Sequence, residues 1–217
     1  MIITLYSTKS STKTSVAIST AIYLANKNKS VVFADLDVMQ GSASAWLDYR
    51  QDNENLIHIP NFQKTGKYIA RDLLELAKNY NYVVADCAGH ADASGRSALT
   101  VTDLAIVPVL PSSLSLITLE TTLNSCVDAL AINPKLNVLI VMTGCHSNPQ
   151  VKDTKEAREM VLELIKNEPS FKLADNNIVA RKVWIDIVVE GKGITESNNT
   201  QAATEFENLM TGIFQWL

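Results

Sequence analysis

Short apolar runs alternate with longer segments whose apolar residues recur every three to four positions, and the alternation continues along the whole chain. Residues 1–6 and 31–34 are nearly uninterrupted apolar runs, the pattern of strands buried on both faces. Between them Val16, Ile18, Ala21, Ile22, Leu24 and Ala25 keep helical spacing. A short helical segment is expected around Ala45-Trp46-Leu47, then a short strand over 56–59 stopped by Pro60. Ile69, Leu73, Leu74, Leu76 and Ala77 predict the next helix, and 82–86 a buried strand ended by an acid. Residues 104–110 predict another strand, broken by Pro108 and closed by Pro111. Helix over 113–130 and strand over 138–142 follow. Residues 152–166 predict a surface helix with Ala157, Met160, Val161, Leu164 and Ile165 on its apolar side. Residues 178–179 read as a last short strand, and 185–189 and 204–217 as helices.

Apolar strands alternating with helices predict a mostly parallel, twisted sheet with helices on both faces. No repeat, low-complexity tract or Gly/Ser linker divides the sequence, so one α/β domain over 1–217 is expected. In such sheets the ligand site lies beyond the carboxyl ends of the strands. That rule gathers four polar segments: 7–14, 35–40, 86–90 and 143–148.

The first segment joins a strand to a helix through Ser10-Ser11-Thr12-Lys13-Thr14-Ser15, the layout of a phosphate-binding βαβ unit. There the helix N-terminus favours anions, a lysine supplies a mobile charge for phosphate, and a Ser/Thr hydroxyl reaches Mg²⁺. Lys13 and Thr14 stand where those roles require, but serine and threonine replace the usual glycines of the loop. Asp86, ending a strand, suits Mg²⁺; Asp37 suits the orientation of an attacking water; Gly89 allows a backbone N–H close to a γ-phosphate. The plainer alternative for each acid is capping of the following helix. His90 reads as a polar loop residue, with acid–base chemistry as the sharper alternative.

Composition narrows the class. The chain has 217 residues, 47% of them hydrophobic, enough for a full core, and its net charge of −4 argues against a broadly polyanion-seeking surface. Cys87, Cys126 and Cys145 are widely spaced and odd in number, suggesting a reducing compartment. Cys145-His146 is poor metal-ligand spacing. The opening apolar run is too short for a signal peptide, and no stretch approaches a membrane span.

On these residues the chain resembles the ParA/MinD group of deviant Walker ATPases, most of all the short plasmid-partition ParA proteins. The resemblance rests on residues 9–15, on Asp35-Leu36-Asp37 followed by Gln40-Gly41, and on the acid-ended strand at 82–86. Arg96-Ser97-Ala98-Leu99 leading into Asp103-Leu104-Ala105-Ile106-Val107-Pro108-Val109, and Arg181 before Val189-Glu190-Gly191-Lys192-Gly193, extend it over essentially the whole chain. The family loop reads Lys-Gly-Gly-x-Gly-Lys-Thr-Thr. Here no glycine stands between Lys9 and Lys13, and one residue fewer separates the lysines. The loop after Asp37 is one residue longer than the family's Asp-x-Asp-Pro-Gln, and Ala88-Gly89 replaces the Pro-Pro after the second acid.

The resemblance implies a P-loop NTPase fold, ATP and Mg²⁺ as ligands, and a homodimer closed around nucleotide and reopened by hydrolysis. Lys9, or Thr8 at its position, would be the residue that crosses to the partner's phosphates. Thr143, Asn148 and Arg181 are implied at the adenine, and Arg181, Lys182 and Lys192 at sequence-independent DNA. A small DNA-binding or adaptor protein is the implied partner, with partition or conjugative transfer as the task in a cytoplasmic setting. The alternative is a non-hydrolysing adaptor that kept the fold and lost strong nucleotide binding. Some relatives use the last helix to bind membranes. Here Phe206, Leu209, Met210, Ile213, Phe214 and Leu217 form a stripe with no Lys or Arg after Gly193, which favours docking on the chain's own core over anionic lipid.

Overall fold

The computed structural model describes residues 1–8, 12–89, 92–148 and 151–217. Its centre is a seven-stranded sheet built from β1 (Ile2–Leu5), β2 (Val31–Asp35), β3 (Asn61–Gln63), β4 (Tyr82–Asp86), β5 (Leu104–Val109), β6 (Asn137–Met142) and β7 (Phe171–Leu173). The spatial order is β3-β2-β4-β1-β5-β6-β7, and every pair runs parallel. The two edge strands have three residues each, which limits the unpaired backbone left open to other chains.

Helices cover both faces, as parallel strands require. On one face lie α1 (Lys13–Asn26), α2 (Ser42–Gln51), the short α7 (Val183–Asp186) and α8 (Thr200–Trp216). The other carries α3 (Ile69–Asn79), α4 (Ala93–Leu99), α5 (Ser113–Leu130) and α6 (Lys152–Ile165). The last helix docks on the chain itself: Phe206, Leu209, Met210 and Ile213 are buried, each worth roughly 1.5–3 kcal/mol over exposure. Phe214 and Leu217 stay partly exposed, and no helix is long and apolar enough to cross a membrane among the described residues.

Three expectations need correction. Residues 56–59 form no strand; β3 begins after Pro60, whose carbonyl accepts from Phe33 N at 2.9 Å, so pairing starts at the proline rather than ending there. Pro108 does not break β5 but pairs in register with Val141. Backbone groups of alternate residues point to opposite neighbours; Ile106 O accepts from Tyr6 N and Val109 O from Thr143 N. Pro108 therefore lacks its N–H on the β1 side, beyond the last register pair Leu5–Ile106, and its pairing with β6 is untouched. Val179 makes only an isolated bridge to Cys145, and the last strand is instead Phe171–Leu173. Helix α4, absent from the sequence reading, is capped by Asp92, whose Oδ1 accepts from Gly95 N at 2.8 Å.

Candidate functional site

The sheet register sets the electrostatics of the strand ends. Asp35 and Asp86 are direct partners across β2 and β4, and Leu5 pairs Asp86 from the other side. Two buried carboxylates thus stand at one level on adjacent strands. Asp35 is satisfied: its Oδ1 accepts from Asp37 N at 3.0 Å and its Oδ2 from Ser44 Oγ at 2.6 Å. It ties the turn after β2 to the start of α2, and so positions Asp37, whose own carboxylate has no ion pair among the described residues.

Asp86 is only half satisfied. Thr14 Oγ1 donates to its Oδ2 at 2.6 Å, while Oδ1 is buried without a partner among the described residues. Burial pushes its carboxyl up to about 7; Asp35 and Asp37 add to the rise, and the Thr14 hydrogen bond and Lys13 oppose it. Lys13 opens α1 with only 5% exposure and makes no ion pair among the described residues. A Cβ built on Gly89 would lie 3.4 Å from Lys13 Nζ, so the loop after β4 passes directly over the ammonium. The first turn of α1 holds no acid, and Thr12 provides no side-chain cap bond; its Oγ1 instead meets Thr143 Oγ1 at 2.9 Å. The structure therefore brings Lys13, Thr14, Asp37, Asp86 and Gly89 to one end of the sheet, with an N-terminal helix dipole directed at them.

The loop leading to α1 is anchored on the far side. Thr8 N donates to Thr122 Oγ1 at 3.1 Å, and Thr8 Oγ1 donates to Thr118 O at 3.2 Å, both on α5. Lys9, Ser10, Ser11 and His90 lie outside the described residues.

Beside this cluster a cavity of about 320 Å³ is lined by Thr12, Ser15, Leu110, Val179, Arg181 and Trp184, among others. Arg181 pairs with Glu205 of α8, and Trp184 meets Phe206 edge-on at 6.0 Å. Thr143 is fully buried and reaches the cavity through Thr12, whereas Asn148 is exposed, its backbone N–H donating to His146 Nδ1 at 3.0 Å. Lys182 and Lys192 are held by Asp186 at 3.5 Å and Glu190 at 2.6 Å.

Sequence reasoning missed one part of this end of the molecule and a brace at the opposite end, beside the last residues of α1 and α2. Asp35 drew no separate role, because only the register reveals that it faces Asp86. Arg50, 1% exposed, drew no role beside the short helical segment expected around Ala45-Trp46-Leu47; its guanidinium bonds Glu196 through both terminal nitrogens at 2.8 and 2.9 Å, and Ile57 O and Gly191 O besides.

No family model matches the chain, and no curated protein matches it by sequence. Solved structures match it in fold. Apo McdA from Cyanothece superposes with a TM-score of 0.78 at 14% identity, over 98% of each chain. A plasmid partition protein from Borrelia burgdorferi bound to AMPPNP gives 0.70 at 20% identity, over 100% of this chain and 99% of that one. MinD from Pyrococcus horikoshii complexed with Mg-ADP gives 0.75 at 15% identity, over 99% and 96%. At these identities the likeness is one of architecture: the chain has the α/β fold of the ParA/MinD-type deviant Walker ATPases.

Proposed function

We propose that the chain is a ParA-like switch that binds ATP at its strand ends, closes two copies around the nucleotide and reopens them on hydrolysis, in the partition or positioning of DNA or another cargo. The observation that carries this reading is Lys13, buried and without an ion pair among the described residues. The ammonium feels the charge of Asp86 but has no direct ion-pair partner among the described residues, the arrangement of a lysine placed to meet an anionic ligand. Lys13 then carries phosphate charge, Asp37 orients the attacking water, and the Gly89 amide meets the γ-phosphate. Lys9 reaches the partner's phosphates, and residues 10–15 wrap the others. The Thr14 hydroxyl and the unpartnered Asp86 Oδ1 are oxygen donors of the kind Mg²⁺ takes. Bound there, the metal supplies positive charge to the phosphates. The cavity beside Ser15 and Arg181 takes the base, with Thr143 and Asn148 near it. A small DNA-binding or adaptor protein stimulates turnover.

A second reading has its own observation: the segment before Lys13 holds no glycine. A non-glycine residue forced to φ > 0 costs about 1–2 kcal/mol. Two such positions would weaken binding about 30- to 1,000-fold. In that reading the chain is a non-hydrolysing adaptor that keeps the fold. Isothermal titration with ATP and Mg²⁺ separates the two. Heat from the wild type at millimolar nucleotide or below, weakened at least about tenfold by Lys13→Ala, is the outcome expected from losing a charge-assisted phosphate contact. No heat from the wild type at millimolar nucleotide leaves only the adaptor.

A further inference from the structure

Between α5 and α6 runs an open cleft of about 820 Å³ that uses none of the strand-end residues described above. Its floor is apolar, with Leu116 and Ile117 from α5 and Met160 and Leu164 from α6. Leu116 packs partly against the core, but Leu119, Leu123, Ala157, Val161 and Ile165 of the same helices fill it on this face, and Ile117, Met160 and Leu164 take no part. Ile117, Met160 and Leu164 are accordingly left 69%, 57% and 42% exposed, a clustering that isolated surface hydrophobes do not show.

The walls are acidic. Glu120, Glu156, Glu159 and Glu163 line the same cleft. Glu159 lies 3.9 Å from Lys155 and Glu163 pairs with Lys166, whereas Glu120 and Glu156 have no ion pair among the described residues.

We infer that this cleft is a docking groove for a basic amphipathic helix of a partner protein. Two facing helical stripes with an apolar floor accept the apolar side of a third helix. The glutamates select lysine and arginine on its flanks and steer its approach. The same charges repel a nucleic-acid backbone and anionic lipid. A two-fold contact with a second copy through this cleft would set the glutamates against their own duplicates. The lining of α6 from Glu156 to Leu164 spans about 12 Å at 1.5 Å per residue, which matches roughly two turns of the incoming helix. The inference gives a chemistry to the partner named above, and rests on that reading for the partner's task but not for the contact.

The test uses the full chain with labelled isoleucine, leucine and methionine methyls, and two synthetic 18-residue helices sharing one leucine face. One carries lysine flanks, the other glutamate. The lysine peptide is expected to shift the Leu116, Ile117, Met160 and Leu164 methyls saturably. Ile117→Asp and, separately, Glu156→Lys are expected to weaken it at least about tenfold, a loss typical of removing an anchor or an opposed charge at an interface. Met160→Asp serves if Ile117→Asp unfolds. ATP titration of Ile117→Asp is expected to match the wild type, so failure of the groove and failure of the nucleotide site are read separately. Equal binding of the glutamate peptide, or shifts confined to other methyls, overturns the proposal. So does self-association of the peptide-free chain that Ile117→Asp abolishes, which assigns the cleft to a second copy.

Discussion

Asp86 holds the sharpest local conflict in the molecule. Its carboxyl is pushed up to about 7 by burial, with Asp35 and Asp37 adding to the rise. The unfolded chain releases this proton near the ordinary value of 3.8, so between that value and about 7 the folded state binds more protons. Stability therefore falls as pH rises through this window, and the cost is complete above it. Asp86→Asn removes the cost. It is expected to raise the stability of the nucleotide-free chain by up to about 4 kcal/mol at pH 8 and by little at pH 4, read from urea unfolding at the two pH values. An Asp86→Asn chain no more stable at pH 8 would show that the carboxylate is not strained. The same substitution is expected to abolish the Mg²⁺ dependence of nucleotide binding. That Lys13, Thr14, Asp37 and Asp86 gather at one end of the sheet was legible, because a lysine, a hydroxyl and strand-end acids at these positions are what the proposed phosphate site would need. What was not legible was how they are wired, since Thr14 meets Asp86 and Asp35 meets Asp86 only through the register of β2, β4 and α1.

At the scale of elements, the brace between α2 and the segment before α8 is the feature most exposed to single changes. Burial acts against Glu196, but hydrogen bonds from Arg50, Asn26 and Gly193 N outweigh it and hold the carboxyl below its ordinary value. Gly191 stands at φ +64°, and a Cβ there would come within 2.4 Å of Arg50 Cα and N. Glu196→Ala strands a buried guanidinium and is expected to cost about 3–5 kcal/mol. Gly191→Ala adds left-handed strain to a backbone collision and is expected to cost at least about 2 kcal/mol. Urea denaturation measures both; a loss below 1 kcal/mol for Glu196→Ala would mean water reaches Arg50. Long periodic elements such as α5 and α6 were readable from spacing alone. The brace was not, because 146 residues separate Arg50 from Glu196, and neither were β3 and β7, whose three residues carry too little pattern. Pro108 misled for a related reason: a proline's effect depends on which neighbour its missing N–H would have met, and sequence does not tell the sides apart.

For the whole molecule, the three basic residues implied at DNA are each held by a carboxylate, Arg181 by Glu205, Lys182 by Asp186 and Lys192 by Glu190. Any affinity for a polyanion is therefore expected to be weak and strongly salt-dependent. Lys182→Ala with Lys192→Ala, which spares the cavity-lining Arg181, is expected to weaken DNA binding of the ATP-loaded chain and flatten its salt dependence. Anisotropy with a labelled duplex at 50 and 200 mM salt reads both effects, and an affinity indifferent to salt sinks the DNA role. Fold class was the most legible property of all, because alternating buried strands and helices admit few other packings.

The strand order has a further consequence. β1 pairs with β4 and β5, so Ile3 waits for Val84 on one flank and Leu104 on the other. At ordinary translation speeds of about 5–20 residues per second, roughly 5–20 s pass between synthesis of β1 and completion of β5. Both margins of β1 are bare until β4 is made, and one stays bare until β5 follows, so the newborn polypeptide, more than the finished one, is expected to need a chaperone.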